Sequence, residues 1–329
     1  MSKALYFRVG MDTGVGGCVA PIFDDGSFEY IPIPDLITTE KCTYSTCRGC
    51  HGEYLSRYLP PKLHDKQLHY DPDYRGKTPV YGDGTSQQKK IIKLEKGDIL
   101  AFYAGLAPWK KDMTNKEINL YFIGYIIVDK VVSVNIDNVL EQPPNAHSKR
   151  YEYILNLANK ITETYGLELE DLVNYYKSKD KLSIENVENR LAYIQQCSAD
   201  KTVGHSSIKD WDRRLESTLN QQSWNHFVIH TNERIVLDTY AYLLDRFSKF
   251  TIVKGRNESR LLWKAIKISK RSKNKAGTLE NVVSDEWYEI LGIPQGMSLQ
   301  RKIPRFVPNP KYECKGDHDK FREILLKHK

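Results

Sequence analysis

His69, Asp71 and Asp73 stand two residues apart in the run His69-Tyr70-Asp71-Pro72-Asp73. A residue before proline avoids the helical region, so the Asp71-Pro72 step favours extended backbone. Extended backbone sends alternate side chains to one side, which would bring the imidazole and both carboxylates together. Such a set can bind a hard divalent cation or pass a proton between histidine and carboxylate. The same residues also make an ordinary Pro-Asp turn, and spacing leaves both readings open.

Cys42, Cys47 and Cys50 follow C-x4-C-x2-C spacing, with His51 directly after. Thiolates this close suit tetrahedral zinc, with His51 or a distant cysteine as fourth ligand. The spacing also opens the plant-type iron–sulfur pattern, which then needs Cys197 or Cys314, and zinc is the preferred of the two. Three free thiols without metal are the third reading. Six cysteines in 329 residues are too few for a disulfide scaffold.

Other motifs exclude more than they offer. His226-Phe-Val-Ile-His230 puts two histidines on one strand face, where packing and hydrogen bonding explain them. H-E-x-x-H and G-x-S-x-G are absent. Gly76-Lys77-Thr78 looks like the end of a phosphate-binding loop, but Asp71 stands where that motif needs its first glycine. The loop from Gly10 to Cys18 is no dinucleotide fingerprint. Its Gly14, Gly16 and Gly17 are either turn residues or a place where backbone amides approach a phosphate or base closely.

Positive charge is concentrated in one place. Residues 254–275 hold nine basic side chains and a single acid, Glu258, a net +8 against +7 for the whole chain. Leu261, Leu262, Ala265 and Ile266 recur at helical spacing there, with Lys264, Lys267 and Arg271 on another face; Lys270 lies in the same run. A basic stripe of this kind neutralises nucleic-acid phosphates, or it is simply a solvated face.

The elements that must position these residues change texture along the chain. Leu5, Phe7 and Val9 alternate, Asp24-Asp25-Gly26 reads as a hairpin turn, and Phe28 to Ile33 alternates again. Residues 36–90 are irregular, and strand character returns over 91–134. From Tyr151 to about Cys197 the apolar stripes are helical. Phe227 to Leu237 reads as a strand pair, Tyr240 to Phe247 as a helix, and Asp319 to Lys327 as a short helix after a proline-rich tail. The expected fold is therefore α+β, with a β-rich N-terminal half (a small barrel or sheet) over 1–145. A mainly helical half over 146–329 follows it, carrying the basic segment and meeting the first half at Pro143-Pro144. The longest apolar run, Leu120 to Val128, is nine residues, against about 20 for a membrane helix. With no secretory signal at the N-terminus, the expected location is cytoplasmic, with no membrane partner.

Several of these stretches together resemble the third nucleotide-modification-associated domain family. They are Phe7-Arg8-Val9-Gly10-Met11-Asp12, Gly16-Gly17-Cys18, Pro21-Ile22, Gly26 and Ile31-Pro32-Ile33-Pro34-Asp35. His69-Tyr-Asp-Pro-Asp73, Tyr81-Gly82, Lys96-Gly97-Asp98-Ile-Leu-Ala-Phe-Tyr103 and Asn145-Ala-His147 continue the likeness, although Ala146 departs from an Asn-Pro-His form. The resemblance covers residues 3–147 well and implies a place in nucleic-acid base modification, with DNA preferred to RNA, or a free nucleotide, as partner. It also brings Asp12 forward beside His69, Asp71 and Asp73. On this reading His69 is general base or metal ligand, Asp71 its orienting carboxylate, and Gly16 and Gly17 the approach to substrate. The competing readings are a non-catalytic modified-base reader, with Tyr6, Tyr70, Tyr81 and Tyr103 as stacking residues, and a zinc- or iron–sulfur-stabilised adaptor.

Overall fold

The structure is a computed structural model that describes residues 2–11, 18–35, 42–85, 87–109, 117–135, 138–165, 249–273, 276–294, 305–308 and 315–328. Its elements in chain order are β1 (Ala4–Arg8), β2 (Ala20–Ile22), β3 (Ile33–Pro34), β4 (Leu68–His69), β5 (Val80–Asp83) and α1 (Gln88–Ile91). Next come β6 (Ile99–Pro108), β7 (Asn119–Val134), α2 (Ala146–Tyr165), β8 (Phe250–Gly255) and β9 (Arg260–Lys267). The last are β10 (Ser269–Lys273), β11 (Leu279–Val283), α3 (Asp285–Leu291), β12 (Arg305–Val307) and α4 (His318–Lys327). The chain divides into two compact units. One holds Met1–Ser133, Pro143–Ala146 and Phe250–Lys329; the other holds Val134–Gln142 and His147–Lys249. The described residues of the second unit form a short 3-10 turn at Val139–Glu141 and nearly all of α2.

The first unit is built on a mixed sheet in the order β12-β1-β6-β7-β8-β5, with β2 added to β6 and β9 to β7. β1 and β2 run parallel to β6, whereas β7 runs antiparallel to both β6 and β9. Every residue of β6 from Ile99 to Ala107 is buried. A strand covered on both faces has no solvent side to carry polar residues, so its sequence reads as an unbroken apolar run rather than an alternation. Phe122 of β7 gathers Tyr6, Tyr103, Trp287 and Phe321 around it with ring centroids 5.2–6.3 Å apart, mostly edge to face. Trp287 and Phe321 bring α3 and α4 onto this core. The early strands, the hairpin turn at 24–26 and the helix of the C-terminal tail follow the sequence-based expectation.

The mainly helical C-terminal half does not. Phe250–Gly255, Arg260–Lys267, Ser269–Lys273, Leu279–Val283 and Arg305–Val307 are strands, and β8, β9 and β12 join the main sheet. The error in the basic segment has a specific cause. Opposite β7 the register of β9 jumps, with Phe122 facing Ile266 but Gly124 facing Leu261. Residues 262–265 bulge out of the ladder and are tied instead to the hairpin turn, where Ala265 N–H donates to Gly26 O. A bulge disrupts period-two alternation, so the apolar positions 261, 262, 265 and 266 imitate a helix stripe. Phe227–Leu237 and Tyr240–Phe247 lie outside the described residues.

One glycine is indispensable to how the helices meet. α3 ends at Gly292 in the left-handed region, φ +60°. A Cβ there would overlap the backbone of Lys315 and Gly316, which leads into α4. Gly292→Ala combines a disfavoured φ with an overlap against rigid backbone. It should cost about 2–3 kcal/mol, read as a fall in the unfolding midpoint by calorimetry. An unchanged midpoint would show that α3 and α4 do not approach this closely.

Candidate functional site

β3 and β4 pair antiparallel, with Ile33 opposite His69 and Pro34 opposite Leu68. The ladder extends one residue further, Asp35 N–H donating to Gln67 O at 2.9 Å. This register sets the Asp35 carboxylate 3.2 Å from His69 Nδ1, and the two side chains are 1% and 7% exposed. A carboxylate accepts only, so it holds a proton on Nδ1, and Nε2 is the acceptor nitrogen whenever the ring is neutral. The same arrangement orients histidines that bind metals or act as bases.

Asp71 is the second member. A ring nitrogen of His69 and a carboxylate oxygen of Asp71 lie within 4.8 Å of one another. Asp71 Oδ1 accepts from Gly82 N–H at 2.9 Å, and its backbone carbonyl accepts from the buried Tyr30 hydroxyl at 2.8 Å. Burial pushes the Asp71 carboxyl well above the usual carboxylate range, against the pull of His69 and the Gly82 N–H; Asp83 and Asp73 push it further up. Buried beside two other acids, Asp71 therefore carries a proton at pH values where an ordinary aspartate has lost it. The consequence for stability has a definite sign. The folded state binds this proton and the unfolded state has released it above pH ~3.9, so stability falls as pH rises from there to the raised value. Asp71→Asn cannot titrate and still accepts the Gly82 bond. Its unfolding midpoint should decline less than the wild type's over that window, and parallel curves would show that Asp71 is ionised.

Asp73 departs from the expected trio. Its Oδ1 accepts from Arg75 N–H and Nε–H, and its Oδ2 from Arg75 Nη2 at 2.7 Å. Arg75 lies over the Tyr70 ring, Cζ 3.6 Å from the centroid. Asp73 also exchanges backbone hydrogen bonds with Val80, so it closes the turn before β5. Asp12, Gly16 and Gly17 lie outside the described residues. Asn145 and Ala146 are fully buried in the first unit, and His147 begins the longer stretch of the second.

The cysteine cluster takes a different form from the one its spacing suggests. Cys42 and Cys47 are joined as a disulfide, while Cys50 is a free thiol. Sulfurs in a disulfide offer no thiolate, so zinc or an iron–sulfur cluster at Cys42, Cys47, Cys50 and His51 would require the reduced form. Cys50 and His51 are organised instead around Glu29, which is fully buried. Its carboxylate accepts from Cys50 N–H at 2.6 Å and His51 N–H at 3.3 Å, and it sits 3.5 Å from His51 Nδ1. Burial of the sulfur and the neighbouring Glu29 push the Cys50 thiol up to about 12, so it stays protonated. Ser27 Oγ meets His51 Nε2 at 3.1 Å.

Three of the four stacking residues of the reader hypothesis are core, and the fourth, Tyr70, is half-buried. Tyr6 and Tyr103 are 0% and 1% exposed, Tyr81 is buried against Phe102, and Tyr70 is covered by Arg75. The basic residues sit on strands: Lys264 and Lys267 on β9, Lys270 and Arg271 on β10, all exposed. Lys270 is engaged by Asp285 at 2.6 Å. Asp35 and Glu29 are the residues that sequence reasoning missed. Glu29 had a signal, since it shares parity with Ile31 and Ile33 and is thus a charge on an apolar face. Asp35 closes the family-like run from Ile31, but its role exists only through the pairing of β3 with β4.

Mixed sheet, buried histidine–aspartate pair and an adjoining carboxyl of raised pKa together define a β-rich unit with a polar centre beside β5. The chain matches the family model described as nucleotide modification associated domain 3 over residues 3–230, and it belongs to that family. His69, Asp71 and Asp35 fall within the matched residues, whereas β8 to β12 and the basic segment follow them. Neither a curated protein nor a solved structure matches the chain. The family is associated with nucleotide modification. Among the described residues no helix is long and apolar enough to cross a membrane.

Proposed function

We propose that the protein acts on a nucleobase, carried in DNA or in a nucleotide, by proton transfer at the His69–Asp35–Asp71 centre. The observation that carries this reading is the buried His69–Asp35 pair with Asp71, whose carboxyl burial pushes above the usual range, within 4.8 Å. A nucleobase edge sets a hydrogen-bond donor beside an acceptor. The acceptor Nε2 of His69 and the acidic Asp71 match that pairing and also supply the base and acid for moving a proton across it. Asp35 fixes the ring; it is a positioning residue. A modified-base reader would use the same two groups for recognition without turnover.

The test incubates wild-type and His69→Ala protein with oligonucleotides and nucleotides carrying unmodified and modified bases. Nucleoside mass spectrometry reads product, and titration reads binding. The expected result is product, or a base-selective affinity, with the wild type and neither with His69→Ala. Equal behaviour of the two proteins would remove the centre from the function. Selective binding without product would favour the reader.

A further inference from the structure

A row of rings runs away from the core toward solvent. Trp109 meets Tyr58 edge-on at 5.0 Å, Tyr58 meets Phe23 at 6.3 Å, Phe23 meets His51 at 4.6 Å, and His51 stacks with Trp263 at 6.3 Å and 21°. Tyr58 is buried, and Trp263 is 64% exposed. A single exposed indole is ordinary on a protein surface. This one is aimed and supported. The bulge in β9 lifts residues 262–265 off the main sheet, and bulges of this kind re-aim side chains. The imidazole beneath the indole is pinned from both sides, by Glu29 at Nδ1 and Ser27 at Nε2.

Charge flanks the same ring. Lys264 packs over Gly26 beside Trp263, and Lys267 lies further along the same strand, both exposed. Asp25, which interacts electrostatically with Lys264, has its carboxylate turned to Ser27, accepting from both its N–H and its hydroxyl. Exposed π-faces alternating with lysines are what a flexible strand of bases and phosphates requires. Tyr70, next to His69 in the chain, lies within electrostatic reach of Glu29 and Cys50, the groups beside His51.

We propose that Trp263, stacked on His51 and flanked by Lys264 and Lys267, is a platform on which a base of single-stranded nucleic acid stacks. Stacking is open to any unpaired base, whereas in a duplex both faces of a base are already covered by its neighbours. The platform thus presents an unpaired strand to the protein and discriminates against duplex. It rests on the proposed function only for the class of partner.

The experiment titrates a fluorescein-labelled single-stranded oligodeoxynucleotide, and the matching duplex, into wild type, Trp263→Ala, Trp263→Phe and Lys264→Ala/Lys267→Ala proteins at several salt concentrations. Wild type should prefer the single strand. Trp263→Ala should lose about 5- to 100-fold in affinity with the salt slope retained, and Trp263→Phe should recover most of it. The double lysine variant should lower the slope by about one per phosphate contact removed. Trp263 is exposed, so its replacement leaves the fold intact, and coincident thermal unfolding curves establish this. Equal affinity of Trp263→Ala and wild type, or equal binding of single strand and duplex, would overturn the platform. The two proposals fail separately: a loss of single-strand affinity in Trp263→Ala, with His69→Ala leaving product and base selectivity unchanged, retains the platform alone, and the reverse outcome retains the centre alone.

Discussion

Asp35→Asn should lower turnover by roughly 10²–10⁴-fold while leaving nucleic-acid affinity and the unfolding midpoint close to wild type. The carboxylate is 3.2 Å from His69 Nδ1 and almost wholly buried, so it determines which nitrogen carries the proton. An asparagine amide of the same shape can donate to Nδ1, which moves the ring proton to Nε2 and removes the acceptor that the chemistry uses. A merely structural aspartate would tolerate the amide, since the volume is unchanged and a hydrogen bond persists. Turnover unaffected by Asp35→Asn, with mass spectrometry of released nucleosides as the readout, would mean that His69 is not the base.

Gly49→Ala should destabilise the first unit by about 3 kcal/mol. A Cβ at position 49 would overlap the fully buried Glu29 carboxyl group, which must then leave the place where it accepts from the loop. That carboxylate accepts from Cys50 and His51 N–H groups and thereby holds the 47–54 loop against the hairpin strand. Displacing it leaves a charge in the interior and unbinds two donors, a heavier loss than the added methyl group suggests. Chemical denaturation should show the fall directly, and Trp263 emission should shift because His51 loses its anchor. A midpoint within experimental error of wild type would show that the loop and Glu29 are not in contact.

What local pattern could reveal, it revealed. Leu5 and Phe7 lie in strand β1, Asp24-Asp25-Gly26 turns, and Asp319 to Lys327 is a helix, because each depends on neighbours in sequence. His69 and Asp71 were likewise visible as chemistry-bearing types. Their partner Asp35 was not, since 34 residues separate it from His69 and only the β3–β4 register joins them. Period-two reasoning grouped Asp73 with them, yet Asp73 turns to Arg75, two positions away, and completes a local ion pair. The basic segment misled for the opposite reason. Its bulge gave β9 the periodicity of a helix, and that same bulge carries the exposed Trp263.

Histidine-selective ¹⁵N NMR on the wild-type protein, recorded during titration with the nucleotide or oligonucleotide that gives product or selective binding, addresses the His69 centre without relying on a variant. His69, assigned by comparison with His69→Ala, should show a proton held on Nδ1 before addition and a change at Nε2 that saturates with the ligand. A His69 resonance that stays in place while the protein saturates with that ligand would contradict the His69–Asp35–Asp71 centre as the place where the nucleobase binds.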